Sequence, residues 1–336
     1  MFRKKPLFFY KKNLICIFLL PFSWLYLLCF FISNIGFLKQ KKICKKTICV
    51  GNIVAGGSGK TPICIAIYKE LSKYFDRICF VSKGYKRSKK GKIILPCGYK
   101  DVFSTNETGD EPKLLSDSAD VFIVNNRKEA DCHDYDLAIC DDGFFDKSIN
   151  KDCKIVVFDG NFFIGNGHIL PAGPLRYMLS SVRKADFVII TNTNEQRIKN
   201  QINILKKYIK EDRILSANLI VNSKHDTKKK YLAFSGIGEN KKFFNSIKEY
   251  GLKLTYFIGF EDHHKYDEKT LNILREKFLL SKSDNMITTA KDFVKLPSDF
   301  CIRNNVEILD ICYKIKDIDK IISFVMKKND EFNKKS

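Results

Sequence analysis

The stretch Val50-Gly51-Asn52-Ile53-Val54-Ala55-Gly56-Gly57-Ser58-Gly59-Lys60-Thr61-Pro62 decides the fold. It joins an apolar run to an amphipathic one. Glycines let backbone N–H groups turn inward around a polyphosphate, and the following helix presents its positive dipole end. Lys60 then reaches the β and γ phosphates, and Thr61 ligates Mg²⁺. The stretch predicts a phosphate-binding loop, a variant because Val54 replaces the usual glycine; a plain glycine-rich turn is the alternative.

A magnesium site needs a carboxylate, usually at the end of a neighbouring apolar strand. Leu137-Ala138-Ile139-Cys140-Asp141-Asp142-Gly143 provides two. Adjacent acids after a buried strand are costly unless a metal or hydrogen bonds compensate them. We therefore interpret Thr61, Asp141 and Asp142 as magnesium ligands, with a turn or an N-cap as the alternative for the two acids.

Two more polar segments are ambiguous on their own. Gly109-Asp110-Glu111-Pro112 precedes a helical stretch, so Asp110 is either a functional carboxylate or a helix N-cap. Asp262-His263-His264 is either functional or an exposed loop.

After residue 46, short β-branched runs alternate with amphipathic stretches, which predicts an α/β fold with a mostly parallel sheet. The predicted strands are Thr47–Val50, Ile78–Ser82, Val121–Asn125, Leu137–Cys140, Ile155–Phe158, Phe187–Thr191, Leu232–Ser235, Leu254–Ile258 and Met286–Thr288. The predicted helices lie at about 61–75, 112–119, 195–211, 241–250, 267–279 and 316–327. The Lys- and Asn-rich stretch 194–230 marks a junction between lobes. We expect a hydrophobic membrane segment with basic flanks at 1–46, a core at 47–210 and a smaller C-terminal α/β lobe at 211–336.

The composition favours an anionic partner. The 336 residues include 59 Lys and Arg against 38 Asp and Glu, a formal net charge of +21. Phosphorylated small molecules, anionic lipids and nucleic acid all match this charge. The lysines are spread along the chain without a zinc, RNP-type or helix-turn-helix signature, so we expect no nucleic-acid partner. The 12 cysteines contain no Cys-x-x-Cys pair and are interpreted as reduced thiols.

Residues 13–38 carry no charge and predict a membrane-associated segment. As a helix, Leu14 to Ile32 would rise roughly 28 Å at about 1.5 Å per residue, close to a hydrocarbon core of about 30 Å. Five cations precede the segment and five lysines follow it, so the positive-inside rule does not orient a span. A span, a helix in the membrane interface, a re-entrant hairpin broken at Pro21 and a buried soluble helix stay open.

Several islands of sequence, in this order, match one family. The chain resembles the tetraacyldisaccharide 4′-kinases, the lipid A 4′-kinases of Gram-negative bacteria. The islands are Val50–Pro62, Ser82-Lys83-Gly84-Tyr85, Gly109–Pro112, Asp141-Asp142-Gly143-Phe144, Gly165-Asn166-Gly167-His168-Ile169-Leu170-Pro171-Ala172-Gly173-Pro174-Leu175-Arg176, Phe234-Ser235-Gly236-Ile237-Gly238, Asp262–His264 and Thr288-Thr289-Ala290-Lys291-Asp292.

The resemblance implies transfer of the γ-phosphoryl group of ATP, with Mg²⁺, to the 4′-hydroxyl of a tetraacylated glucosamine disaccharide 1-phosphate. It places the reaction at the cytoplasmic face of the inner membrane, on a two-lobed P-loop architecture. It implies Asp110 as general base with His263, while Lys60 stabilises phosphate charge. Arg176, Lys291 and Asp292 are candidate nucleotide contacts.

A membrane-associated P-loop ATPase or GTPase switch is the alternative. Such a protein would hydrolyse its nucleotide and cycle between partners. It has no need of Asp110 and His263 as a base for an acceptor hydroxyl.

The chain departs from the family at auxiliary positions. Phe145-Asp146 stands where the family usually has Gln-His, and Tyr177 where it has Glu. Ser82-Lys83-Gly84-Tyr85-Lys86 replaces Ser-Arg-Gly-Tyr-Gly, and Ala290 replaces Glu. These differences bear on metal and nucleotide contacts rather than on the class of reaction.

We expect Phe145 and Tyr177 to weaken magnesium binding if the family's polar side chains help hold the ion. Each missing polar contact costs on the order of 1 kcal/mol, or roughly five-fold in affinity. Phe145→Gln with Tyr177→Glu should shift the magnesium titration to lower concentration. The measurement is rate against free Mg²⁺ at fixed ATP for both proteins. An unchanged midpoint would show that the two positions do not tune the metal.

Overall fold

The structure is a computed structural model of the 336-residue chain. It describes residues 6–33, 39–85, 87–98, 103–237, 240–262 and 264–327. His263, a residue of the expected catalytic pair, and the tail from 328 to 336 lie outside these described residues.

Two sheets organise the described chain. The strands are β1 (Lys46–Gly51), β2 (Ile78–Ser82), β3 (Ile93–Leu95), β4 (Val121–Ile123), β5 (Leu137–Cys140), β6 (Cys153–Asp159), β7 (Phe187–Thr191), β8 (Ile214–Val221), β9 (Lys230–Ser235), β10 (Lys253–Gly259), β11 (Asn285–Thr288), β12 (Val306–Ile308) and β13 (Ile311–Ile315). The larger sheet has nine strands in the order β13-β8-β7-β6-β1-β5-β2-β4-β3, and the smaller has four in the order β10-β9-β11-β12. Only the edge pairs β3–β4 and β13–β8 of the described sheets are antiparallel.

The α-helices cover the faces of these sheets or connect their strands. They are α1 (Leu14–Ser33), α2 (Lys60–Leu71), α3 (Thr105–Thr108), α4 (Asp110–Leu115), α5 (Glu195–Leu205), α6 (Asn240–Tyr250), α7 (Glu268–Leu280), α8 (Ala290–Phe293), α9 (Ser298–Arg303) and α10 (Asp319–Lys327).

The α/β class and the mostly parallel sheet are confirmed. Each of the nine predicted strands is present, with boundaries that differ by two residues or fewer. Strands β3, β8, β12 and β13 were not predicted from the sequence. The central strands were predictable because they are buried on both faces: β1, β2, β5 and β7 contain buried residues throughout.

The C-terminal part of the chain belongs to both sheets. The expected boundary at residue 210 falls before β8, which pairs with β7 of the larger sheet. The chain returns after β12, and β13 completes the same sheet beside β8. Helix α10 packs Ile321, Ile322 and Val325 into the core of the larger sheet. The smaller sheet therefore occupies only the middle of the expected lobe, residues 230–308.

A chain of hydrogen bonds ties together the two connections between the sheets. His225, which follows β8, forms two side-chain hydrogen bonds. Its Nε2 lies 2.5 Å from Ser223 Oγ, and its Nδ1 lies 2.6 Å from Glu307 Oε2. Asp310 N–H donates to Ser223 Oγ at 3.0 Å. These bonds hold the outgoing segment 222–229 against the returning segment 307–310.

Helix α1 packs on the larger lobe with one side only. Cys16 and Ser23 are buried, and Ser23 Oγ donates to Ile169 O at 2.9 Å. The opposite side exposes large apolar side chains: Leu14, Ile17, Phe18, Trp24, Leu25 and Leu28. Pro21 lies inside the helix, which continues through it, so the break that a re-entrant hairpin requires is not seen.

Among the residues that the structure describes, none forms a helix with both the length and the apolarity needed to cross a membrane.

The island 165–176 connects α1 to the glycine-rich loop. On one side, Asn166 Nδ2 donates to Phe8 O at 2.7 Å, ahead of α1. On the other, Ala55 N–H donates to Pro174 O at 2.7 Å and Arg176 N–H to Ile53 O at 2.8 Å. A Cβ at Gly173 would lie 2.3 Å from His168 O, so this turn requires glycine. The island thus fixes the position of the loop relative to the N-terminal helix.

Candidate functional site

The glycine-rich loop joins β1 to α2 at the carboxyl edge of the larger sheet. This edge binds ligands in open α/β sheets, at the point where the strand order changes direction. Gly59 adopts φ +78°, and a Cβ there would lie 3.2 Å from the Tyr313 ring of β13. The loop is therefore held by the returning strand at a position that only glycine fits. Ser58 Oγ is buried and has no partner among the described residues.

Asp141, directly after β5, lies against the start of α2. Its Oδ2 accepts a hydrogen bond of 2.7 Å from Thr61 Oγ1. Its burial raises its pKa, an effect that the Lys60 charge and the Thr61 bond only partly oppose. A buried carboxylate beside a phosphate-binding loop favours the binding of a cation at this point.

Asp142 is half-exposed and faces two cations. Its Oδ1 lies 3.5 Å from Lys60 Nζ and 3.6 Å from Arg176 Nη2. Burial favours a raised pKa, but Lys60, Arg176 and Arg127 outweigh it and keep the pKa below its ordinary value. Arg176 Nη2 also donates to Asn52 O at 2.7 Å. The structure thus brings Lys60, Thr61, Asp141, Asp142 and Arg176 together at one edge of the sheet.

Arg127, which was not predicted from the sequence, supports the turn that contains Asp141 and Asp142. It is 2% exposed and donates through Nη2 to Asp141 O and through Nη1 to Asp146 Oδ2, the latter at 3.0 Å. Asp146 also accepts from Ser148 Oγ and Ser148 N–H. The only signal for Arg127 in the sequence is a single arginine among polar residues, which does not distinguish it from a surface cation.

The site's residues fit Mg²⁺. The ion takes oxygen ligands, commonly one or two carboxylates together with substrate phosphates and water. The Thr61 hydroxyl and the Asp141 and Asp142 carboxylates provide that donor set. They would hold the ion together with substrate phosphates and water. Within the described residues, no group of three or more His, Cys, Asp and Glu side chains is placed to hold a metal.

Asp110 is the first residue of α4. In the fold, this helix begins beside the carboxyl end of β2, which lies two strands from β1 in the larger sheet. Gly84, after β2, and Gly109 pack tightly on this segment: a Cβ at Gly84 would lie 2.8 Å from Thr108 O. The N-cap position of α4 belongs to Gly109, so Asp110 is not the N-cap. Its Oδ2 lies 3.5 Å from Lys295 Nζ, which comes from the smaller lobe.

Lys291 and Asp292 lie in the smaller lobe. Lys291 Nζ is 3.5 Å from Asp262 Oδ1. Asp292 is wholly buried and accepts hydrogen bonds of 2.8 Å from Gly236 N–H and Thr289 Oγ1. These contacts give Asp292 a role in the interior of the lobe. Its contact with a nucleotide stays a prediction that the buried position does not favour.

The two aromatic departures lie against each other. The rings of Phe145 and Tyr177 stack with centroids 3.3 Å apart and planes 12° apart. Phe30 of α1 meets the Tyr177 ring edge-on at 5.0 Å. Tyr26 donates to Arg176 O at 3.1 Å. Arg176 and Tyr177 are therefore in direct contact with the N-terminal helix, and Phe145 is connected to it through the Tyr177 ring.

Comparisons with known proteins show which family the chain is similar to. The family model described as "LpxK: Tetraacyldisaccharide-1-P 4'-kinase" matches residues 15–329. The tetraacyldisaccharide 4'-kinase of Rickettsia felis is 33% identical over 340 residues, which cover 98% of each chain. That of Rickettsia canadensis is 33% identical over 342 residues, with the same coverage. The crystal structure of LpxK from Aquifex aeolicus in complex with ATP superposes with a TM-score of 0.74 at 27% identity, covering 94% of this chain and 99% of that one.

Asp146→Asn tests the support behind Asp141. Burial favours a raised pKa, but the Ser148 and Arg127 bonds outweigh it and lower the pKa of Asp146 from 3.8 to about 2. A carboxyl group whose pKa is lower in the folded state stabilises the fold at pH values above its pKa in the unfolded state. This contribution is lost as pH falls from about 4 to about 2. We expect the free energy of unfolding of the variant to be lower by about 2 kcal/mol at neutral pH, since one pKa unit corresponds to about 1.4 kcal/mol.

The measurement is urea unfolding of the wild type and of Asp146→Asn at about pH 7, 5 and 3.5. The difference between their free energies of unfolding should be smallest at the lowest pH. Asp299→Asn is the control, because the ion pair of Asp299 with Arg303 is exposed and weak. A difference that stays constant down to about pH 3 would contradict the charge-based account.

Proposed function

Because the chain belongs to the tetraacyldisaccharide-1-phosphate 4′-kinase family, we infer that it transfers the γ-phosphoryl group of ATP to the 4′-hydroxyl of a tetraacylated glucosamine disaccharide 1-phosphate, a step of lipid A biosynthesis. The observation that carries this inference is the junction of the phosphate-binding loop with the turn after β5, where Thr61 bonds Asp141 at 2.7 Å. It is the arrangement that an ATP-dependent kinase needs.

The residues of the loop take separate roles. Backbone N–H groups from Gly56 to Gly59 and the Ser58 hydroxyl face the phosphates, and Lys60 neutralises the charge of the transferred group. Thr61, Asp141 and Asp142 would hold Mg²⁺, which when bound neutralises phosphate charge. Arg176, fixed by Asn52 O and Asp142, adds a second cation beside Lys60.

Asp110 is the acceptor's general base in this proposal, assisted by His263. A sugar hydroxyl has a high pKa, so its proton must leave as the new O–P bond forms. A carboxylate at the end of β2 lies at the same sheet edge as the phosphate-binding loop, and its neighbour Lys295 favours the ionised form. A nucleotide-hydrolysing switch would use no such base, and the family relationship does not favour that alternative.

We also propose that the enzyme works on a membrane surface, at the cytoplasmic face of the inner membrane. The substrate is an acylated lipid. The exposed side of α1 carries large apolar residues, with Lys11, Lys12, Lys39, Lys41 and Lys42 near its ends. An amphipathic helix with basic flanks binds the interface of an anionic bilayer, which is the arrangement that this side of α1 supports.

The test of the reaction is labelled ATP with the disaccharide 1-phosphate acceptor and Mg²⁺. Wild-type protein should give a labelled lipid, and Lys60→Ala should reduce turnover by roughly 10²- to 10³-fold while the fold is kept, because Lys60 acts on phosphate charge. Circular dichroism checks the fold. Release of labelled phosphate without a lipid product, or with GTP used equally well, would favour the switch instead.

The test of membrane binding replaces exposed side chains of α1 and spares its buried ones. Phe18→Glu with Leu25→Glu should lower binding to anionic phosphatidylglycerol vesicles by roughly ten-fold or more, since it places charge in the apolar interface. Leu279→Glu with Leu280→Glu, on α7, is the matched control because these leucines are equally exposed in the other lobe. Equal vesicle binding by both variants would contradict the proposed surface.

A further inference from the structure

Lys295 connects the two lobes at Asp110. It follows α8 in the smaller lobe, and its side chain is 6% exposed. Its Nζ lies 3.5 Å from Asp110 Oδ2 and 3.3 Å from Asp292 Oδ1. The ammonium group therefore sits between a carboxylate of each lobe.

The end of this connection in the smaller lobe is buried and held by hydrogen bonds. Asp292 is wholly buried, and its Oδ2 is held by Gly236 N–H and Thr289 Oγ1. Its Oδ1 is left to pair with Lys295 Nζ at 3.3 Å. Lys295 N–H also donates to Asp292 O at 3.0 Å. The backbone of Lys295 is thus held by the carbonyl of Asp292, and its ammonium group is held by the Asp292 carboxylate. The other N–H groups of the ammonium therefore have a defined direction.

A lysine held in this way acts on Asp110 in two respects. Its positive charge favours the ionised carboxylate, the form that accepts a proton. Its fixed position favours one orientation of that carboxylate, and a misplaced reacting group costs rate steeply. His264, the neighbouring histidine that the structure describes, bonds Thr270 Oγ1 of α7 at 3.2 Å through Nε2. The hydrogen bond of the His264 ring thus stays within the smaller lobe, whereas the Lys295 side chain contacts Asp110 in the larger lobe.

We propose that Lys295 is a positioning residue that keeps the Asp110 carboxylate ionised and oriented toward the acceptor hydroxyl. This rests on the proposed role of Asp110. In the step concerned, the acceptor oxygen forms its bond to the γ-phosphorus, the bond to the β-phosphate oxygen breaks and ADP leaves. The hydroxyl proton goes to Asp110. Lys295 takes no part in this proton transfer and makes no contact with the transferred group.

The primary test is Lys295→Met, which keeps the length of the side chain and removes its charge. We expect kcat to fall by roughly ten- to a hundred-fold, with KM for ATP and for the lipid acceptor changed by less than about two-fold. Lys295→Arg should restore kcat to within about five-fold of the wild type, because it returns the cation. Arg303→Met, which removes an exposed cation of the same lobe, is the matched control and should change neither constant.

A purely structural role is separated by a double variant. Lys295→Met alone leaves Asp292 as an unpaired buried charge and should destabilise the fold. Lys295→Met with Asp292→Asn removes that charge, so the urea midpoint should recover while kcat stays low. Recovery of kcat together with the urea midpoint would overturn the proposal.

Asp110→Asn distinguishes this proposal from the proposed function. If Asp110 is the base, this variant loses most of its kcat, and adding Lys295→Met costs little more because both act on one proton transfer. Normal kcat in Asp110→Asn would reject Asp110 as base. An inactive Asp110→Asn beside a fully active Lys295→Met would reject the role of Lys295 alone.

Discussion

The site depends on one buried carboxylate. Asp141 lies 4% exposed at the end of β5, a position that is unfavourable for a charge without compensation. Thr61 and Lys60 compensate it from the phosphate-binding loop, and Arg127 holds its carbonyl from the other side. Because Arg127 is buried too, it requires Asp146. The loop, the turn after β5 and the layer beneath it are therefore one charge network, in which removing any member leaves a neighbour uncompensated.

The fold was predictable where burial fixes the residue type on both faces. The central parallel strands must be β-branched or apolar throughout, so their runs stand out. Strands at or next to the edges of the larger sheet lack this constraint. The edge strand β3 has only three residues, and β8, which lies beside the edge strand β13, alternates exposed and half-buried positions in its second half. The phosphate-binding loop and the two acids were predictable as well, because each is a contiguous motif whose chemistry needs adjacent residues.

The rest of the site depends on pairs that only the fold brings together. Arg127 meets Asp146 because β5 and the loop after β4 end at the same sheet edge. Tyr313 reaches Gly59 because β13 returns to the larger sheet after the smaller one is complete. No local pattern carries these contacts. A single arginine, lysine or tyrosine has the same appearance in sequence whether it is buried against a distant acid or solvated.

The stack of Phe145 on Tyr177 gives the two aromatic departures one physical explanation. The residues follow Asp142 and Arg176, whose side chains pair, so their own side chains are close neighbours. An aromatic ring at either position alone would face a polar partner, whereas the two rings stack face to face on each other. Phe30 extends the contact to α1, and Tyr26 bonds the Arg176 carbonyl. The departures are thus a single coupled change that replaces polar contact beside the Asp141–Asp142 turn with packing against α1.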